Sequence, residues 1–202
     1  LKSIGGQRNY ISMVGTDMST KIVNINNPQE FMHSVPSYRG EVICSSVNTI
    51  FDIFVSGNND HSIQICSLTY GGILKNVSLG ERTPLHISIS PGWGFILVYT
   101  KSLVCQKLKY ELLLYNVNGI FIDSRELPEE ISAWTMWTDD QGFDFCCISL
   151  KSNKIIVFEV YYLNIGTIVY RTTNKIIFVQ YIKELNSIVS CAKSGILTMI
   201  PL

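Results

Sequence analysis

The sequence predicts an all-β chain of repeated four-stranded antiparallel units. Three observations predict it. Apolar residues alternate with polar ones at period two, clusters of Gly, Asn, Asp, Ser and Pro separate the runs, and like positions recur at intervals of 42 to 49 residues. In chain order the strand-like runs are "YISMVG", "KIVNI", "VICSSV", "IFVSG", "SIQICSL", "HISIS", "FILVYT", "ELLLYNV", "FCCISL", "KIIVFEV", "GTIVYR", "IIFVQYI", "SIVSCA" and "ILTMI". Each is rich in β-branched or aromatic side chains, which fit a pleated, half-buried surface. The one weak helical stretch, "SRELPEEISAW", is interrupted by Pro128.

The interval is read from an apolar–polar pair near the end of one strand in each unit. The pairs begin at Val23, Cys66, Tyr115, Phe158 and Ile200, in steps of 43, 49, 43 and 42 residues. That is close to the period of about 40–45 residues of WD-type propeller blades. One blade cannot bury both its faces, whereas blades stacked around an axis bury them against each other. The expected architecture is a single partial propeller over residues 1–202. It has a blade remnant at about 1–25 and blades at about 26–68, 69–117, 118–160 and 161–202. About four to five blades of an expected ring of seven are then present, with the others expected on the N-terminal side, because seven units need roughly 280–300 residues. The long step is assigned to "KSLVCQKLKY", read as an extra loop between two strands of one hairpin.

Composition narrows the function classes. The chain has 202 residues, 47% hydrophobic and 16% charged, with a formal net charge of zero. The charge fraction is below the roughly 25% usual for soluble domains. A neutral chain without a Lys/Arg cluster argues against nucleic acid as a partner. No apolar run reaches the roughly 18 residues of a membrane span; "KIIVFEVYYLNIGTIVY" is broken by Glu159, Asn164 and Gly166. The six cysteines, Cys44, Cys66, Cys105, Cys146, Cys147 and Cys191, form no C-x-x-C pair. All but Cys105 lie in apolar runs, the usage of a reduced cytoplasmic chain. On that reading the glycosylation sequon at Asn76 is idle.

Chemistry is weakly represented. His33, His61 and His86 share no metal spacing, and His86 alternates with Ile87 and Ile89 as a strand-face residue. "TDDQG", with Asp139 and Asp140, reads as turn chemistry. No nucleophile elbow, phosphate-cradling glycine loop or Asp-box repeat occurs. The expectation is a chain that is not an enzyme and takes no cofactor and no metal. A propeller hydrolase, which would gather carboxylates or histidines at a central channel, is the competing class.

Three stretches carry a family resemblance: Phe51, Asp52 and Ile53 leading into Val55, Ser56, Gly57 and Asp60; then Ser90, Pro91, Gly92, Trp93, Gly94 and Phe95; then "LLLYNVNGIFIDS", with Asn118 and Gly119 turning two strands. Together they resemble the C-terminal WD-repeat region of BEACH-domain proteins, the Beige/neurobeachin family, over about residues 40–125. The BEACH and pleckstrin-like domains of that family would lie upstream. The resemblance implies a non-catalytic scaffold for other proteins in vesicle traffic or autophagy. It would be cytoplasmic or peripheral on endomembranes, and held at membranes through the upstream domains. A WD-repeat adaptor of another family, such as a coat or ubiquitin-ligase subunit, is the alternative.

Propeller geometry sets the remaining expectations. Asp17 and Asp60, with Gly57, belong to turns between second and third strands, where each Asp caps its own turn. Residues 90–95 form a turn on the opposite rim. There Pro91 presets one corner, Gly92 takes positive φ, and Trp93 packs across the rim as a lid. Phe95 to Tyr99 form a strand buried on both faces. The 101–110 insertion, with Lys101, Gln106, Lys107, Lys109 and Tyr110, is the candidate contact for a partner.

Overall fold

The structure, a computed structural model, describes residues 3–7, 10–14, 19–27, 31–36, 40–163 and 165–202. Asp17 lies outside these residues. The described residues form five antiparallel sheets, all made of strands consecutive in the chain. Sheet 1 holds β1 (Ser3–Gln7), β2 (Tyr10–Val14), β3 (Ser19–Asn24) and β4 (Phe31–Pro36). Sheet 2 holds β5 (Val42–Asn48), β6 (Ile53–Asn58), β7 (Ser62–Ser67) and β8 (Ile73–Ser78). Sheet 3 holds β9 (Thr83–Ile89), β10 (Ile96–Val104), β11 (Lys107–Tyr115) and β12 (Phe121–Leu127). Sheet 4 holds β13 (Ile131–Thr138), β14 (Asp144–Leu150), β15 (Lys154–Glu159) and β16 (Gly166–Arg171). Sheet 5 has three strands, β17 (Ile176–Ile182), β18 (Ser187–Ala192) and β19 (Leu197–Pro201). Among the described residues the one helical element is a single 3-10 turn, Lys183–Leu185.

The all-β expectation holds, and the helical stretch resolves into the end of β12 and the start of β13. Sheets and sequence units are offset by one strand. Each marker pair closes a third strand, and the strand after it pairs back onto that same sheet, as β8 does onto β7.

The chain divides into two compact units. The first comprises Leu1–Ile89 with Gly94–Glu126, and the second Ser90–Trp93 with Leu127–Leu202. In the first unit β5 packs against β1 and β2, and β9 packs against β5 and β6. In the second, β17 packs against β13. The first strand of a sheet therefore rests on the first strand of the sheet before it in both units. First strands also share a bulge against their second strands, at Ile43, Leu85, Ser132 and Ile177, which the register skips. A bulge sharpens local twist, so the same device recurs in the same place in each of these sheets.

Register explains the cores. The rows Ile87–Val98–Leu113 and Ile89–Ile96–Tyr115 cross sheet 3, and Cys44–Gly57–Ile63 and Val55–Ile65 cross sheet 2. These two faces meet in one buried cluster. The other face of sheet 2 presents Val47, Phe54 and Cys66 to Ile22 and Val35 of sheet 1. Sheet 2 is covered on both faces, which is why β6 is buried at every position. In the second unit Trp137, Cys147 and Ile155 of sheet 4 pack with Ile176, Val179, Ile188 and Ile200 of sheet 5. The opposite face of sheet 5, with Phe178, Leu197 and Met199, is exposed.

Candidate interaction surface

The 101–110 stretch is not an added loop. It lengthens β10 and β11 to nine residues each and closes them with a two-residue turn, Cys105 and Gln106. Both turn residues have positive φ, 48° and 64°, the signature of a type I′ hairpin turn. Neither is Gly or Asn, so the left-handed conformation costs about 1 kcal/mol at each. The register above the turn is unbroken, from Val104 opposite Lys107 down to Ile96 opposite Tyr115.

Alternation sorts the hairpin into two faces. Tyr99, Lys101, Leu103, Leu108 and Tyr110 share one face, where the Tyr99 and Tyr110 rings stack with centroids 6.0 Å apart. The other face carries Ser102, Val104, Lys107, Lys109 and Glu111. There Arg82 donates its Nε to Glu111 at 2.7 Å, and Lys109 pairs with Glu111 and Glu126 at 3.1 Å each. Burial alone would push the Glu111 carboxyl up. The hydrogen bonds and charges of Arg82 and Lys109 outweigh it and hold the carboxyl below its ordinary range.

Lys109 and Tyr110 are thus fixed to the sheet as side chains of the hairpin base. Lys101, Gln106 and Lys107 are exposed. The residues that sequence reasoning missed are apolar: at the tip Leu103 is 64% exposed, Val104 49% and Leu108 60%. Leu103 and Leu108 share the face of Lys101 and Tyr110 at period-two spacing, which was the available signal. Leu103 and Leu108 stand side by side on one face of the ladder and Val104 on the other, an exposed apolar tip of the kind that contacts another protein.

The 90–95 turn is built differently from its expectation. Ser90 is fully buried, and the positive φ belongs to Gly94, at +70°, whose missing Cβ leaves room for Phe51. Gly92 is required for close approach: a Cβ there would stand 2.9 Å from the Asp144 carboxylate. That carboxylate, on a residue 2% exposed, accepts the backbone N–H groups of Gly92 at 2.9 Å and Trp93 at 2.8 Å, and the Thr138 hydroxyl at 2.5 Å. Trp93 is no packed lid. Its indole N–H donates to the Gly142 carbonyl at 2.7 Å while 59% of the residue stays exposed. Phe95 is half-buried, and Ile96, Leu97, Val98 and Tyr99 are buried.

The other turns follow local polar chemistry. Asp60 accepts the Ser62 hydroxyl at 2.6 Å in the turn between β6 and β7, so it caps its own turn. Gly57 does not belong to that turn. It lies inside β6, where a Cβ would meet Cys44 Sγ at 2.8 Å and Pro84 Cβ at 2.9 Å, so its role is the close approach of two sheets. Asp139 accepts the N–H groups of Gln141 and Phe143, and Gly119 turns β11 into β12 at φ +68°. His33 bonds the Thr69 carbonyl oxygen, and His61 meets the Thr83 hydroxyl at 3.2 Å. His86 stands opposite Tyr99 on the strand face. Among the described residues, no group of three or more His, Cys, Asp or Glu could hold a metal ion. All six cysteines are free thiols, and burial pushes Cys44, Cys66 and Cys147 up to about 12, out of reach of thiolate chemistry. No helix of the described residues is long and apolar enough to cross a membrane.

No family model and no curated protein matches the chain. Its fold matches 1384 chains of solved structures. One is the crystal structure of a computationally designed protein, Ika8, with a TM-score of 0.68 and 14% identity, over 98% of this chain and 57% of that one. The likeness is one of fold, and this chain spans little more than half the length of its match.

Proposed function

We propose that the chain is a protein-binding module, part of a WD-type propeller, and that it presents the β10–β11 tip to its partner. The observation that carries the reading is the projecting hairpin with Leu103, Val104 and Leu108 exposed on paired strands. The propeller reading is supported by sheets of three or four consecutive strands, by first strands resting on first strands within each unit, and by the recurring first-strand bulge. A further sheet covering Phe178, Leu197 and Met199 would extend the same stacking. The function is non-catalytic. The resemblance of residues 40–125 supports a scaffold of the BEACH type, acting at endomembranes, as the setting of that binding.

The test compares proteins retained by the full chain and by its L103S/L108S variant from one cell extract. Stability should hold within about 0.5 kcal/mol, because both sites are exposed, while at least one partner is lost. An identical partner set would remove the hairpin from the account.

A further inference from the structure

The β10–β11 hairpin carries an unbalanced charge. Residues 101–110 hold three lysines, Lys101, Lys107 and Lys109, and no Asp or Glu, in a chain whose formal net charge is zero. Lys109 is engaged at the base. It lies 3.1 Å from both Glu111 and Glu126, and Arg82 also pairs with Glu111, so two cations and two carboxylates neutralise one another there. Lys101 and Lys107 are exposed, and neither forms an ion pair with a described residue. The tip therefore presents two uncompensated ammonium groups among its exposed apolar side chains.

Register places these groups. Leu103 stands opposite Leu108, and one row toward the base, on the same face, Lys101 stands opposite Tyr110. Such rows are two residues apart, about 7 Å along the strands. A partner side chain seated on the leucine pair thus has its neighbour within reach of Lys101. On the other face Val104 stands opposite Lys107. Each face joins apolar surface to an ammonium group. Covering that group without a counter-charge would strip its hydration uncompensated, and a basic partner would be repelled. An anionic membrane would supply counter-charge, but the order of residues opposes end-on insertion. Gln106 and Lys107 lie nearer the apex than Leu103 and Leu108, so an ammonium group would enter the hydrocarbon ahead of the leucines. A segment lying across a face meets leucine and lysine together. We infer that the tip binds an acidic protein segment, one in which Asp or Glu flanks a large aliphatic or aromatic side chain. This rests on the reading of the tip as the partner surface and adds the chemistry of what it binds.

The experiment selects displayed random peptides on the full chain and counts as tip binders those that its L103S/L108S variant does not retain. Asp and Glu beside Leu, Ile or Phe should be enriched among them. A selected peptide, made synthetically, should bind a K101E/K107E variant roughly tenfold more weakly than the wild type. Its affinity for the wild type should fall as salt rises. Both lysines are exposed, so the charge-reversed variant should keep the wild-type Tm. Tip binders without an acidic excess, or with equal affinity for K101E/K107E, would overturn the inference and leave the tip as a partner surface. A selection that yields no tip binders would overturn both. Vesicles of phosphatidylcholine and phosphatidylserine in equal parts should not retain the chain. Retention that L103S/L108S abolishes would replace the acidic segment by a lipid surface.

Discussion

The β6–β7 and β10–β11 hairpins join the second and third strands of adjacent sheets in the first unit, yet they end in opposite ways. The first stops at the sheet margin and turns its polar groups inward, with Asn58, Asp60 and Ser62 bonded in series. The second continues past the margin and closes on two strained residues, leaving leucines and a valine in solvent. The strand plan is shared, so the extra length serves no need of the sheet. A repeated scaffold shows its specialised parts where one unit departs from the others, and here the departure is apolar and projecting.

The largest predicted effect separates base from tip. Leu113→Ala, in the buried cluster at the base, should cost about 3 kcal/mol in denaturant unfolding through loss of apolar contact and a residual cavity. Leu108→Ala, only five positions away, should change stability by less than about 0.5 kcal/mol. Comparable losses at both would mean that the tip is packed and not presented.

A smaller effect concerns Glu111, which ties the hairpin to Arg82. Glu111→Gln should cost about 1–2 kcal/mol at neutral pH, discounted for the part-exposed arginine. The carboxyl is held below its ordinary range in the folded chain. Its stabilisation is therefore complete above the unfolded-state value and is lost as pH falls through the depressed one. Unfolding curves of the wild type and the variant should converge in acid, and a gap that persists there would assign the effect to packing.

The strands themselves were legible because apolar runs rich in β-branched and aromatic residues are bounded by turn residues in every sheet: "FILVYT" and "FCCISL" are strands where those residues put them. Partnership was less legible. "ILKNVS" reads as a strand, but nothing local says that it pairs backward onto β7 and not forward onto β9. The hairpin tip was hidden because Cys105 and Gln106 lack the Asn-Gly signal of a type I′ turn, so two strands looked like a loop. The positive φ expected of Gly92 belongs to Gly94, because positive φ and close approach both call for glycine. Gln64 alternates with Ile63 and Ile65, which suggests a solvent-facing side chain. It is buried because sheets cover both faces, a fact held by residues far away in sequence.

The most direct measurement of the central claim is site-specific photo-crosslinking from Gln106 at the long hairpin and from Ser152 in the short β14–β15 turn, both exposed positions. With the full chain expressed in cells, a discrete adduct is predicted from position 106 and none of that mass from 152. The same adduct from both positions, or from 152 alone, would contradict a partner surface at the β10–β11 tip.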